Sequence, residues 1–227
     1  MTITDFTLAL SADTLDDIEK TRISMQNRYG QMTRTEVDAD GVERGFGLPE
    51  DSYAVMSVKN LVDGLLAQEK EATKILEKVM KSHALAGWVK GSKGVGLKQG
   101  ARLIAAVGDP YWNTLHNRPR TVTEFWSYCG FGVADDGGAV KRKKGVKSNW
   151  NAKAKMRAYL IAESCLKQKG SPYEIAYRER RAHTEEVHPD WTKGRHHNDA
   201  LRIAAKEILK DMWIATRDIY EARDNTI

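Results

Sequence analysis

The stretch Trp88 to Pro110, W-V-K-G-S-K-G-V-G-L-K-Q-G-A-R-L-I-A-A-V-G-D-P, decides how this chain is read. Apolar residues recur at helical spacing on both sides of Lys93-Gly94-Val95-Gly96. The second run predicts a helix over 97–107, stopped by Gly108-Asp109-Pro110. Two helices joined by a G-x-G turn have the layout of a helix-hairpin-helix. Gly94 and Gly96 are expected to adopt positive φ and tighten the turn. The second helix then offers unpaired N–H groups to an anion. Lys90, Lys93 and Lys98 surround the turn, and Arg102 comes one helical turn later. A nucleic-acid backbone fits this pattern; a plain tight connector is the competing reading of the same glycines.

Upstream, Leu15, Ile18, Met25, Tyr29 and Met32 fall at alternating three- and four-residue steps, with Arg22 as the polar interruption. That is a heptad stripe on a helix. Residues 33–50 lose the pattern, and Asp38-Ala39-Asp40-Gly41 reads as a turn. A second helix is expected from about Asp51 to His83, with Val55, Val58, Val62, Leu65, Ala72, Leu76 and Val79 in register and Glu69 as the breach. The two helices should pair as an antiparallel hairpin. Leu61, Leu66 and Ile75 widen the apolar face, so a coiled coil that also builds a homodimer is the second possibility.

Downstream, Thr121-Val122-Thr123-Glu124 is a capping box that starts a short helix bearing Phe125, Trp126 and Tyr128, aromatics that belong in a core. Phe131 to Ala134 and Ala139 to Arg142 flank Asp135-Asp136-Gly137-Gly138, a hairpin signal. The return arm carries Lys141, Arg142, Lys143, Lys144 and Lys147, and Lys153, Lys155 and Arg157 extend the charge into the next helix, predicted over 150–167 with Leu160 and Ile161 inward. Such a stripe is neutralised by phosphates; a solvated face is the bland alternative. Ser171-Pro172-Tyr173-Glu174 opens another helix, with proline at its first position. A last helix is expected over 198–220.

Composition sets the bounds. The chain has 227 residues, 41% hydrophobic and 30% charged, with a net charge of +5. Acidic residues gather over 11–51 and basic ones over 90–102 and 141–157, which implies a basic working face for a polyanion. No apolar run suggests a membrane span and no leader is recognisable, so no membrane partner is expected. Cys129 and Cys165 form neither a disulfide framework nor a metal motif, and a reducing cytoplasm is the expected compartment. His183, His188, His196 and His197 match no metal-ligand spacing. Walker, Rossmann and G-x-S-x-G patterns do not occur, and no cofactor is expected.

Taken together, Gly94-Val95-Gly96, Gly108-Asp109-Pro110, Tyr128-Cys129-Gly130-Phe131 and Gly137-Gly138 through Arg157 arrive in an order that resembles the C-terminal half of bridge-RNA-guided insertion-sequence transposases. The resemblance covers about Val55 to Ile219. It implies a coiled coil joined to a nucleic-acid-binding domain that supplies a nucleophilic serine before two glycines, alongside a RuvC-like domain with four metal-binding carboxylates. Here Asp136 stands in the serine's position, and a carboxylate cannot form the phosphoserine-type link to DNA. The RuvC-like domain is expected to be missing.

The resulting expectation is a mainly α protein: a helical hairpin or coiled coil over 1–86, then a helix-hairpin-helix domain over 87–227 with a small β-hairpin insertion. Its expected role is DNA binding, non-catalytic alone, with no catalytic residue of its own. The alternatives are one subunit of a split recombinase acting with a separate RuvC-like nuclease, a structured-RNA binder, and a protein-interaction module.

Overall fold

The computed structural model describes residues 3–134, 137–142 and 144–225. Asp136, the residue in the serine's position, and Lys143 lie outside them. The fold is mainly helical, with one small antiparallel hairpin. Its elements in chain order are α1 (Phe6–Thr33), α2 (Tyr53–Ser82), α3 (Ala86–Gly91), α4 (Leu97–Val107), β1 (Trp112–Asn113), β2 (Arg118–Pro119), α5 (Val122–Tyr128), α6 (Ala152–Cys165), α7 (Pro172–Val187) and α8 (Lys193–Asp224). Among the described residues no helix is long and apolar enough to cross a membrane.

The chain divides into two compact units, one from Leu10 to Val79 and the other formed by the residues before and after it. Of the stripe residues in the first unit, Leu15, Val55, Val62, Ala72 and Leu76 are buried, and Ile18, Met25, Tyr29, Met32, Val58, Leu65 and Val79 are half-buried. Arg22 and Glu69, the two polar breaches, meet: Nε of Arg22 donates to the Glu69 carboxylate at 2.5 Å, with both side chains largely covered. An ion pair inside an apolar seam adds little net stability, but removing one partner strands the other charge, so the pair favours one register of the hairpin. Between the helices the Asp38 to Gly41 turn closes through a Val37–Glu43 bridge, with Arg44 paired to Asp38 and Asp40.

The second unit is built around α6 and α8. Ala154, Ala158, Ile161 and Ala162 of α6 and Ala200, Leu201, Ala204, Ala205, Ile208 and Leu209 of α8 are fully or nearly fully buried. So much alanine lets helices approach closely. Leu160, expected inward, is instead 41% exposed; Ile161 takes the core position beside it. The helix starts obey local chemistry. Thr121, Asn151, Ser171 and Thr192 each accept a backbone N–H at the beginning of α5, α6, α7 and α8. Arg118 reaches from β2 to Glu124, the acidic member of the α5 capping box, and holds that carboxyl down at about 2.

The regular β-hairpin is β1–β2, paired through Trp112–Pro119 and Asn113–Arg118. In the region of the expected hairpin, the described residues carry an isolated antiparallel bridge between Val133 and Ala139. Asp109, 5% exposed, ties this unit together. One carboxylate oxygen accepts N–H bonds from Tyr111 and Trp112, and the other accepts from the Ile3 backbone at 3.1 Å and the Tyr220 hydroxyl at 2.5 Å.

Candidate nucleic-acid interface

A tight turn joins α3 to α4 where the sequence places one, and its two glycines differ in conformation. Gly94 has φ of 99°, whereas Gly96 has φ of −74° and serves as the N-cap of α4 in an extended conformation. Only Gly94 therefore needs the left-handed region, and it needs glycine twice over. An added Cβ would lie 2.7 Å from Sγ and 3.1 Å from Cα of Cys165, at the end of α6. Gly100 plays a similar part inside α4, where a Cβ would fall 2.9 Å from Val89 of α3. Its place in K-Q-G-A-R was the signal for that close helix crossing.

Two further bonds seat the turn on the α6–α7 connection. The ammonium of Lys93 donates to the Lys169 carbonyl at 2.6 Å, and the Tyr173 hydroxyl donates to Asp211 at 3.0 Å while lying 3.3 Å from Ser92 Oγ. Burial pushes the Cys165 thiol up to about 11, consistent with a packing group rather than a nucleophile. The connection brings Lys167 and Lys169, both exposed, into the same neighbourhood. Their link to the turn lies 76 residues away in sequence, and no local pattern carries it.

The start of α4 differs from those of α5 to α8. Gly96 provides no side-chain acceptor, so the first N–H groups of the helix are not capped from within. Lys90 and Lys93, close to the helix start in sequence, are exposed, the Lys93 ammonium being held by the Lys169 carbonyl; Lys98 is half-buried and Val95 buried. A helix start of this kind favours negative charge, and the ammonium groups add to its field.

The other basic residues divide into two groups. Lys141, Arg142, Lys144 and Lys147 are exposed on the arm before α6, beside a depression of about 280 Å³ that also involves Ser148 and Trp150. Lys153 is half-buried. Lys155 lies over the Trp150 ring at 5.2 Å, and burial, then the charges of Arg202 and Arg142, hold it below the ordinary amine value. Arg102 and Arg157, in contrast, are 2% and 6% exposed. Both are buried, which corrects their assignment to a surface grip: a guanidinium covered by protein does not reach a nucleic-acid backbone.

The turn and the arm are not one cluster. Gly94 sits against the C-terminal end of α6, whereas Asn151, the cap at its other end, donates to the Ala106 carbonyl near the end of α4 at 2.7 Å. The two helices are therefore antiparallel, and the arm enters α6 at the end remote from the turn. The 14 residues of α6 separate the two basic regions by about 21 Å.

The histidines form no metal centre among the described residues. His188 stacks on Trp191, His196 is buried 3.0 Å from the Thr184 hydroxyl, and His197 lies 2.7 Å from the Tyr177 hydroxyl. No protein-family model, no curated protein and no solved structure matches this chain.

Proposed function

We propose that the protein binds DNA through its phosphate backbone, with the α3–α4 turn as one grip and the basic arm before α6 as another, and that it is transposase-derived and performs no bond chemistry on its own. The observation that carries this reading is the contrast among helix starts. Those of α5 to α8 are capped by their own side chains, whereas α4 begins at a glycine among lysines. A separation of about 21 Å between the grips corresponds to roughly six phosphates along one strand at 3.4 Å each, so one duplex can engage both. Contacts of this kind position a duplex without reading its sequence.

The test is a salt titration of binding to duplex DNA, four-way DNA and structured RNA. Affinity for DNA should fall steeply with salt, and a Lys90→Gln, Lys98→Gln variant should show a slope smaller by about two, near 0.9 per lost phosphate contact. Binding that ignores salt would favour a protein-interaction role, and tighter binding to RNA would reassign the polyanion.

A further inference from the structure

The α3–α4 turn borders a groove of about 690 Å³. Ala86 and Leu97, both half-buried, supply its accessible aliphatic surface over the buried Val89 and Val95, while Lys81, Lys90 and Lys93 stand around it. Among the described residues that line it there is no carboxylate. Leu97 belongs both to the groove wall and to the first turn of α4, so an anion held by that helix start sits at the groove's lip.

A volume in this range suits a small organic ligand rather than a bare ion. Its chemistry asks for a body with an apolar face and an anionic tether. A paired duplex offers the tether but keeps its bases stacked inside. An unpaired nucleotide offers both, and turning it out of the helix costs least where it has no partner to leave.

We propose that this groove accepts the base and sugar of one unpaired nucleotide whose neighbouring phosphate is held at the start of α4, so that the protein prefers duplexes carrying a bulged or frayed nucleotide. This rests on the phosphate-binding reading above. Ala86 and Leu97 cover the base, the ammonium groups of Lys81 and Lys90 neutralise the tether, and the groove reads an interruption in the duplex rather than its sequence.

Gly87 gives a direct test. It lines the groove, and an added Cβ there would meet nothing within 4 Å, so a larger side chain can enter without displacing the fold. The full chain is titrated with a blunt duplex and with the same duplex carrying one bulged 2-aminopurine. The wild type should bind the bulged duplex on the order of tenfold more tightly, the scale of one base contact, with a change in 2-aminopurine emission. Gly87→Leu should lower that affinity to the blunt-duplex level while leaving blunt-duplex affinity and its salt slope within twofold, and Gly87→Ala should behave as wild type. Equal binding of the two duplexes by the wild type, unchanged emission, or a preference that survives in folded Gly87→Leu overturns the proposal. Loss of the bulge preference with duplex binding intact removes only the groove; absence of any salt-sensitive duplex binding removes the phosphate reading beneath it.

Discussion

Gly96 and Ser171 begin helices from almost the same backbone, at φ −74°, ψ 154° and φ −73°, ψ 146°. Each comes after a Lys-Gly pair whose glycine has positive φ, 99° at Gly94 and 74° at Gly170. The two helix starts part company in their first turns. Ser171 Oγ accepts the Glu174 N–H at 3.1 Å, the Glu174 carboxylate accepts the Gly170 N–H at 3.2 Å, and Arg178 balances that charge. The start of α7 is thus occupied by its own side chains, and that of α4 is left without them. Turn geometry alone does not make an anion seat; the residue at the cap separates a structural joint from one available to a ligand.

The largest test of this comparison lies at the glycines. Gly170→Ala should cost about 1–2 kcal/mol for left-handed strain alone, since nothing lies within 4 Å of the added Cβ. Gly94→Ala adds a clash with Cys165 and should cost about 3 kcal/mol in total, on the scale of overpacking plus strain. Urea denaturation of both variants checks this, and equal losses would mean that Cys165 yields freely.

Exchanging the caps is the next step. Gly96→Asp should place a carboxylate on the N–H groups at the start of α4 and weaken duplex binding by about tenfold, the worth of one charge-assisted contact, while helix stability rises by a few tenths of a kcal/mol. An unchanged Kd would break the comparison. Ser171→Ala should cost about 1 kcal/mol of stability and leave DNA affinity within twofold; a matching loss of binding would mean that both helix starts serve the ligand.

The smallest effect concerns the junction that carries the chain into the open turn. His83 is buried, and its Nδ1 accepts the Leu85 N–H at 3.1 Å. Burial holds its pKa below the ordinary value, more than the Ile3 backbone and the Asp5 carboxylate raise it. The folded state therefore prefers the neutral ring. That stability is fully present above a pH of about 6.5 and drains away as pH falls through the lowered folded value. Urea midpoints at neutral and mildly acidic pH should separate less in His83→Gln than in wild type; an identical separation would relieve His83 of this role.

The features legible in the sequence are local. The bounds of α4, its stop at Gly108, the Thr121 to Glu124 box and the Ser171-Pro172 start each rest on residues within a turn or two of one another. Arg102 and Arg157 misled because a count of cations along the chain does not say which face of a helix meets the core. Arg22 and Glu69 were visible as breaches, yet their pairing depends on how two helices slide into register. The division of the cations into two regions about 21 Å apart depends on α4 and α6 running antiparallel, a relation fixed by Asn151, Ala106, Gly94 and Cys165 together.

Asp109 has a consequence for how the chain closes on itself. Two of its donors, Ile3 and Tyr220, lie 106 residues before it and 111 after it. The helices can form from contacts close in sequence, but this carboxylate receives its full set of donors only after Ile3 and Tyr220 have returned to it. Displacing Ile3 or Tyr220 leaves a buried anion short of a donor, so these two residues, far apart in sequence, act as the latch of the second unit.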